Sequence, residues 1–252
     1  MQIELRHLTK IIGDHTIIDH IDLSLKSGRI YGLKGYNGCG KTMLMRLIAG
    51  LIRTSEGSVV IDGKQLGKDM DFPPSTGILL ENPAFLGGYS GYENLRLLAS
   101  IRNVITVKDV EQVLQHVGLS HAAKQKYRKY SLGMKQRLGI AAAIMEHPAL
   151  IILDEPTNAL DADGIELIKG LIQQERERGA LILLTCHDKE ILEELCDVIF
   201  TWTMAGSFIK RGMRHERQRK TIYASPAAVL CLDDTLSCCQ SRFTAAASPC
   251  CN

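Results

Sequence analysis

The tightest constraint on this chain is the stretch Gly35-Tyr36-Asn37-Gly38-Cys39-Gly40-Lys41-Thr42. Glycine, four residues, Gly-Lys and then Ser or Thr is the pattern of a loop that wraps phosphate. Such a loop must join a buried strand to a helix, and its flanks comply. Ile30-Tyr31-Gly32-Leu33 is an apolar run before it, and Met43-Leu44-Met45-Arg46-Leu47-Ile48 reads as a helix after it. Gly35, Gly38 and Gly40 allow the backbone to curl with its amide hydrogens inward, a nest for phosphate oxygens. Asn37, Cys39 and Met43 complete the cradle, and the helix that opens here aims its positive end at the same place. Lys41 is expected to reach the β- and γ-phosphates, and the Thr42 hydroxyl to bind Mg²⁺. The stretch therefore predicts a nucleotide site.

The remainder alternates strands and helices. Residues 2–8 and 17–25 place apolar side chains at period two, in Ile3 and Leu5 and in Ile17, Ile21, Leu23 and Leu25, with Gly13-Asp14 as a hairpin turn between them. Ser58-Val59-Val60-Ile61 and Gly77-Ile78-Leu79-Leu80 are short strands, the second ending at Glu81-Asn82-Pro83. Helical spacing then runs over Tyr92 to Ile101 and Val107 to Val117, and a third helix is predicted from an N-cap at Ser131 to Glu146, before His147-Pro148. The apolar run Ala149-Leu150-Ile151-Ile152-Leu153 leading to Asp154-Glu155 argues for a strand buried on both faces. A helix from about Asp163 to Arg178 follows, then the strand Leu181–Thr185 ending at Cys186-His187, a further helix and a strand from Val198 to Thr203. The alternation predicts a parallel α/β sheet with its ligand at the carboxyl ends of the strands. The glycine loop, Asp154-Glu155 and His187 all fall at such ends.

Composition narrows the function classes. A 252-residue chain that is 45% hydrophobic and 23% charged suits one large α/β domain or two small ones. A formal net charge of +2 implies no strong field for nucleic acid or a membrane surface. No apolar run approaches the roughly 18 residues of a membrane span. Met1-Gln2-Ile3-Glu4-Leu5 carries an acid too early for a signal peptide, so a cytoplasmic location is expected. Cys39, Cys186 and Cys196 are scattered and expected to pack as small apolar residues. Cys231, Cys238, Cys239, Cys250 and Cys251 crowd the end of the chain, without the CxxC pair or nearby histidine of a metal site.

With these segments in view, residues 2–210 resemble the nucleotide-binding subunit of an ABC transporter. Tyr130-Ser131-Leu132-Gly133-Met134-Lys135-Gln136-Arg137-Leu138 is similar to that family's signature segment, and Leu153-Asp154-Glu155-Pro156-Thr157-Asn158-Ala159-Leu160-Asp161 follows it. The wording of Leu80-Glu81-Asn82-Pro83-Ala84-Phe85 and of Ser131 to Lys135 resembles bacteriocin- or lantibiotic-resistance exporters. The resemblance implies a phosphate-loop NTPase fold of class α/β, with a mainly parallel sheet core, an N-terminal antiparallel β subdomain and an inserted helical subdomain at about 82–146. It implies an ATPase domain over 1–210 and leaves 211–252 as a tail without expected regular structure. It also assigns roles. Asp154 helps to hold Mg²⁺ and Glu155 is the general base, while His187 contacts the γ-phosphate beside the attacking water, Lys41 acting with them. Ser131 and Gly133 act on the ATP of a second copy, in a head-to-tail homodimer bound to a separate integral membrane permease on the inner face of the membrane. Phe85, Leu86, Tyr89 and Tyr92 are expected near the permease.

The chain departs from the family pattern at marked places. Ile12 stands where an aromatic residue commonly stacks on adenine, costing on the order of 1 kcal/mol. Glu81 replaces a glutamine and keeps an oxygen ligand for the metal. Leu132 and Met134 replace a glycine and a glutamine of the signature. Lys210, Arg211, Arg214, Arg217, Arg219 and Lys220 form a basic run beyond the resemblance. Two alternatives stay open on these grounds: a non-hydrolysing regulatory subunit, and a soluble ATP switch acting on nucleic acid. The near-neutral charge opposes the second, and no nucleic-acid partner is expected.

Overall fold

The computed structural model describes residues 1–81 and 83–202, with the backbone of 208–212 and 222–223. Strands β1 (Gln2–Ile12), β2 (His15–Lys26), β4 (Glu56–Ile61) and β5 (Lys64–Gln65) form an antiparallel sheet in the order β2-β1-β4-β5. A second sheet takes β3 (Arg29–Lys34), β6 (Thr76–Leu79), β7 (Leu150–Leu153), β8 (Leu181–Thr185) and β9 (Val198–Trp202) in the parallel order β9-β3-β8-β7-β6. Helix α1 (Lys41–Ile48) follows β3, and α5 (Ala162–Glu177) and α6 (Lys189–Leu195) separate β7, β8 and β9. Helices α2 (Gly91–Arg102), α3 (Val107–His116) and α4 (Leu132–Ile144) all lie between β6 and β7.

The apolar runs are explained by two cores, one on each face of the parallel sheet. Leu150 and Ile152 of β7, with Leu181 and Leu183 of β8, point into a core shared with α1 and the antiparallel sheet. Ile151 and Leu153, with Ile182 and Leu184, point into the other, shared with α3, α4 and α5. Alternate side chains of one strand thus leave water in opposite directions, so no polar position is tolerated.

The antiparallel strands depart from simple alternation. His7 and His20 take left-handed φ values of 47° and 45°, and the β1–β2 register shifts around them. These bulges move the buried set from Ile3 and Leu5 to Leu8, and bury Ile18, in place of the expected Ile17, beside Ile21 and Leu25 in β2. Ile17 is thereby released toward Gly40 of the phosphate loop.

Ser90 caps α2: its hydroxyl accepts from the Glu93 amide at 3.1 Å, and the Glu93 carboxylate accepts from the Ser90 amide at 2.7 Å. The buried Asn94 extends this anchor, accepting from the Leu86 amide at 2.9 Å and donating to the Leu86 and Ser90 carbonyls. Replacing Ser90 by alanine is expected to cost about 1 kcal/mol, or about 2–4 °C in Tm for a chain of this size, read by thermal unfolding.

The sheet also continues past residue 210, where no regular structure was expected. A strand β10 (Phe208–Gly212) pairs antiparallel with β9, and β11 (Ile222–Tyr223) pairs with β10. Asn82, Thr203, the side chains of the basic run from Lys210 to Lys220 and the cysteines of the tail lie outside the described residues.

Candidate functional site

The phosphate loop forms as its sequence predicts, between β3 and α1. Gly38 and Gly40 adopt φ values of 81° and 107°, open only to glycine without strain. Gly35 is required by space instead: a Cβ there would lie 2.7 Å from the Cys39 sulfur and 2.8 Å from Trp202 Cβ. The Cys39 side chain is therefore buried beneath the loop while its backbone stays in the turn. Lys41 is folded across the loop, donating to the Gly35 carbonyl at 2.9 Å and the Tyr36 carbonyl at 3.0 Å.

A cavity of about 570 Å³ opens over this loop. Asn37, Gly38, Gly40, Lys41, Thr42 and Met43 line one wall. Glu81, Asp154, Glu155 and His187 line the others, so the ends of β6, β7 and β8 converge on the loop after β3. Ile17, Gln136 and Asn158 also reach the cavity, none of them a predicted ligand. Ile12 does not line it and is 47% exposed.

Asp154 is the centre of the polar network. Its Oδ2 accepts from the Thr42 hydroxyl at 2.6 Å, and its Oδ1 accepts from the Thr185 hydroxyl at 2.5 Å. Thr42 and Asp154 thus present adjacent hard oxygens beside the loop, a donor set that fits Mg²⁺ sharing its coordination with phosphates. Among the described residues no group of His, Cys, Asp and Glu suffices to hold a metal without such help. The Glu81 carboxylate is paired with Arg46 of α1, and its backbone is left-handed at φ 59°.

Glu155 is held on every side. Its Oε2 accepts from the His187 backbone amide at 3.0 Å, and its Oε1 lies 3.5 Å from His187 Nε2. Its own amide donates to Thr185 Oγ1 at 2.8 Å, and its carbonyl accepts from Gln136 Nε2 at 2.9 Å. Its φ of 52° belongs to the left-handed region, a strain of about 1–3 kcal/mol that these contacts sustain. Burial pushes the Glu155 carboxyl above the usual range, against the opposing pull of His187, and so makes it a better proton acceptor.

An "ABC transporter" family model matches residues 18–158. An uncharacterized ABC transporter ATP-binding protein of Bacillus subtilis (strain 168), YybJ, is 45% identical over 196 residues, covering 78% of this chain and 90% of that one. The chain belongs to the ATP-binding proteins of ABC transporters. The bacitracin transport ATP-binding protein BcrA of Enterococcus faecalis is 41% identical, covering 78% of this chain and 65% of that protein. The lantibiotic transport ATP-binding protein SrtF of Streptococcus pyogenes is 32% identical, covering 78% and 85%. A solved ATP-binding subunit of an ABC transporter superposes with a TM-score of 0.73 at 24% identity, covering 80% of this chain and 85% of that one, which supports the fold. The family is one of ATPases, and this chain carries its α/β phosphate-loop fold.

The signature residues Ser131 and Gly133 of this ABC protein lie apart from the cavity, although Gln136 of the same segment reaches it. Ser131 is the N-cap of α4, its hydroxyl accepting from the Met134 amide at 3.2 Å, and neither Ser131 nor Gly133 lines the cavity of its own chain. Gly133 is needed for a close approach: a Cβ would lie 2.7 Å from the carbonyl oxygen of Ala159, itself left-handed at φ 60°. The apolar residues around the start of α2 divide in two. Phe85 packs edge-on to Tyr127 at 5.3 Å and Tyr92 packs on the core, while Leu86 and Tyr89 are 50% and 48% exposed.

Residues missed in the sequence have weak signals of type. Thr185 looks like a strand former, Gln136 like one more polar residue of a helix, and Arg46 like a helix-surface base. The position of Thr185 at the end of a strand aimed at the site was the one available hint.

Proposed function

We propose that this chain hydrolyses MgATP as one half of a head-to-tail homodimer, and that the dimer drives export of a peptide antibiotic through a separate membrane permease. One observation carries the reading: a single chain places the phosphate loop, Asp154, Glu155 and His187 around one cavity, yet keeps Ser131 and Gly133 away from it. The signature helix α4 would offer its positive N-terminus to the nucleotide of the second copy. Each copy then completes the other's site.

In this reading the loop amides and Lys41 hold the phosphates, Lys41 leaving the Gly35 and Tyr36 carbonyls to do so. Thr42 and Asp154 would hold Mg²⁺, which would supply positive charge against the phosphates. Glu155 accepts the proton of the attacking water, and His187 keeps its carboxylate aimed at the cavity. Ile17 is the apolar side chain of the cavity available to the base. Among the described residues no helix is long and apolar enough to cross a membrane. Leu86 and Tyr89 are the exposed apolar residues offered to the permease, and the bacitracin and lantibiotic names of the relatives support a peptide antibiotic as cargo.

The test is the size of a Glu155→Gln variant with and without ATP. The amide keeps the shape of the side chain and removes the base, so bound ATP should persist. A monomer that becomes a dimer with ATP is the expected result. ATP binding without dimerisation, both in the full chain and in one ending at Lys210, would overturn it and favour a regulatory subunit.

A further inference from the structure

We propose that Thr185 is the positioning residue of this site, fixing with one hydroxyl both the oxygen that receives the metal and the backbone of the proposed base. The inference rests on the hydrolytic reading above and deepens it. Thr185 is the last residue of β8, fully buried, and lies 31 and 30 residues in sequence from the two groups it joins.

The direction of its bonds follows from elementary chemistry. The Glu155 amide can only donate, so the hydroxyl oxygen accepts there, at 2.8 Å. Its single proton is then committed to Asp154 Oδ1, at 2.5 Å. That oxygen is occupied by the buried threonine, and Oδ2 is left beside the Thr42 hydroxyl at 2.6 Å. One side chain thus decides which oxygen of Asp154 faces the phosphates and how far it stands from Glu155.

The second effect is on Glu155 itself. A left-handed glutamate persists only where its peptide groups are held from both sides. Thr185 takes the amide, and Gln136, itself 5% exposed, takes the carbonyl at 2.9 Å. Thr185 is the arm of this bracket that also touches the metal-holding carboxylate. Its β-branch locks χ1, so the hydroxyl reaches its partners with few competing rotamers. Loss of the hydroxyl leaves the nucleotide its loop, Lys41 and Thr42, and so leaves binding largely intact. What it removes is the alignment of base and metal ligand.

The experiment compares Thr185→Val, Thr185→Ala and Thr185→Ser in the full chain. Turnover and KM for MgATP are measured beside nucleotide affinity, read from the fluorescence of Trp202. That residue is the only tryptophan of the sequence, and its side chain packs against Gly35 and Gly40 of the phosphate loop. Thr185→Val and Thr185→Ala are expected to lower kcat by about 10- to 100-fold, the range of a misplaced catalytic group, with KM and affinity within about threefold of wild type. Thr185→Ser is expected to recover most of that loss. If valine fails to fold, the alanine and serine pair carries the comparison. A kcat unchanged in alanine, or serine as poor as alanine, overturns the proposal. A wild-type chain that turns over no MgATP would instead overturn the hydrolytic reading, whereas an active wild type and an inactive Glu155→Gln beside a fully active Thr185→Ala would overturn the role of Thr185 alone.

Discussion

Exchanging Glu155 for glutamine is expected to lower steady-state ATP turnover by about 100-fold or more, the range that a lost general base commands. The carboxylate is 18% exposed, lies at the wall of the cavity and accepts from the His187 amide at 3.0 Å. An amide oxygen can still accept that hydrogen bond, so the side chain should stay in place. The amide nitrogen has no basic lone pair, so the proton of an attacking water has nowhere to go. Nucleotide affinity should therefore change little, because Lys41, Thr42 and the loop glycines are untouched. Phosphate release under saturating MgATP, set beside a binding titration, separates the two. Turnover above about one tenth of wild type would remove Glu155 from the role of base. Removing His187 should cost less than removing Glu155, because its ring is exposed and its nearest hold on the carboxylate is through the backbone.

This asymmetry also marks the limit of what could be read from the sequence. Asp154, Glu155 and His187 were legible because each terminates an apolar strand, and a strand buried on both faces announces its end by its first polar residues. The loop glycines were legible because only glycine relieves φ values such as 81° and 107°. Thr185 was hidden by the same logic. Threonine is an ordinary strand residue, and nothing in its type tells whether the hydroxyl faces a carboxylate or a carbonyl. Ile17, expected to be buried, is only partly so, with Ile18 buried beside it, because period-two reasoning cannot register a bulge, here at His20. The pairing of Glu81 with Arg46 needed two segments to be folded together, since they lie 35 residues apart. The helical segments were easier, since apolar spacing and a capping residue such as Ser131 are local in sequence. What escaped were the individual side-chain partners supplied from distant segments, such as Thr185 for Asp154 and Arg46 for Glu81.

Such a partner governs the other large effect, at Gly77. Gly77→Ala is expected to destabilise the protein by about 3 kcal/mol or more, at the upper end of overpacking costs, because the obstacle is backbone. A Cβ at Gly77 would lie 1.7 Å from the Ala143 carbonyl oxygen of α4 and 2.8 Å from Pro148. No rotamer change can clear a carbonyl of a helix, so α4 must move away from β6 or β6 must leave its register with β7. At about 2–4 °C per kcal/mol the expected fall in Tm is about 6–12 °C, read by thermal unfolding. Gly170→Ala, at an exposed position of α5 where the added carbon meets nothing within 4 Å, should instead stabilise by about 0.5–1 kcal/mol. A Gly77→Ala protein within about 1 kcal/mol of wild type would contradict the packing. The effect should also reach the active site. Gly139 of the same helix approaches Leu79 and Pro83 with similar closeness, and Gln136, one turn before it, holds the Glu155 carbonyl. Pushing α4 outward therefore draws Gln136 from Glu155 and shifts the signature residues Ser131 and Gly133 at its N-terminus. In whatever fraction of Gly77→Ala remains folded, ATP turnover should fall further than nucleotide affinity, since the phosphate loop stands on a different helix.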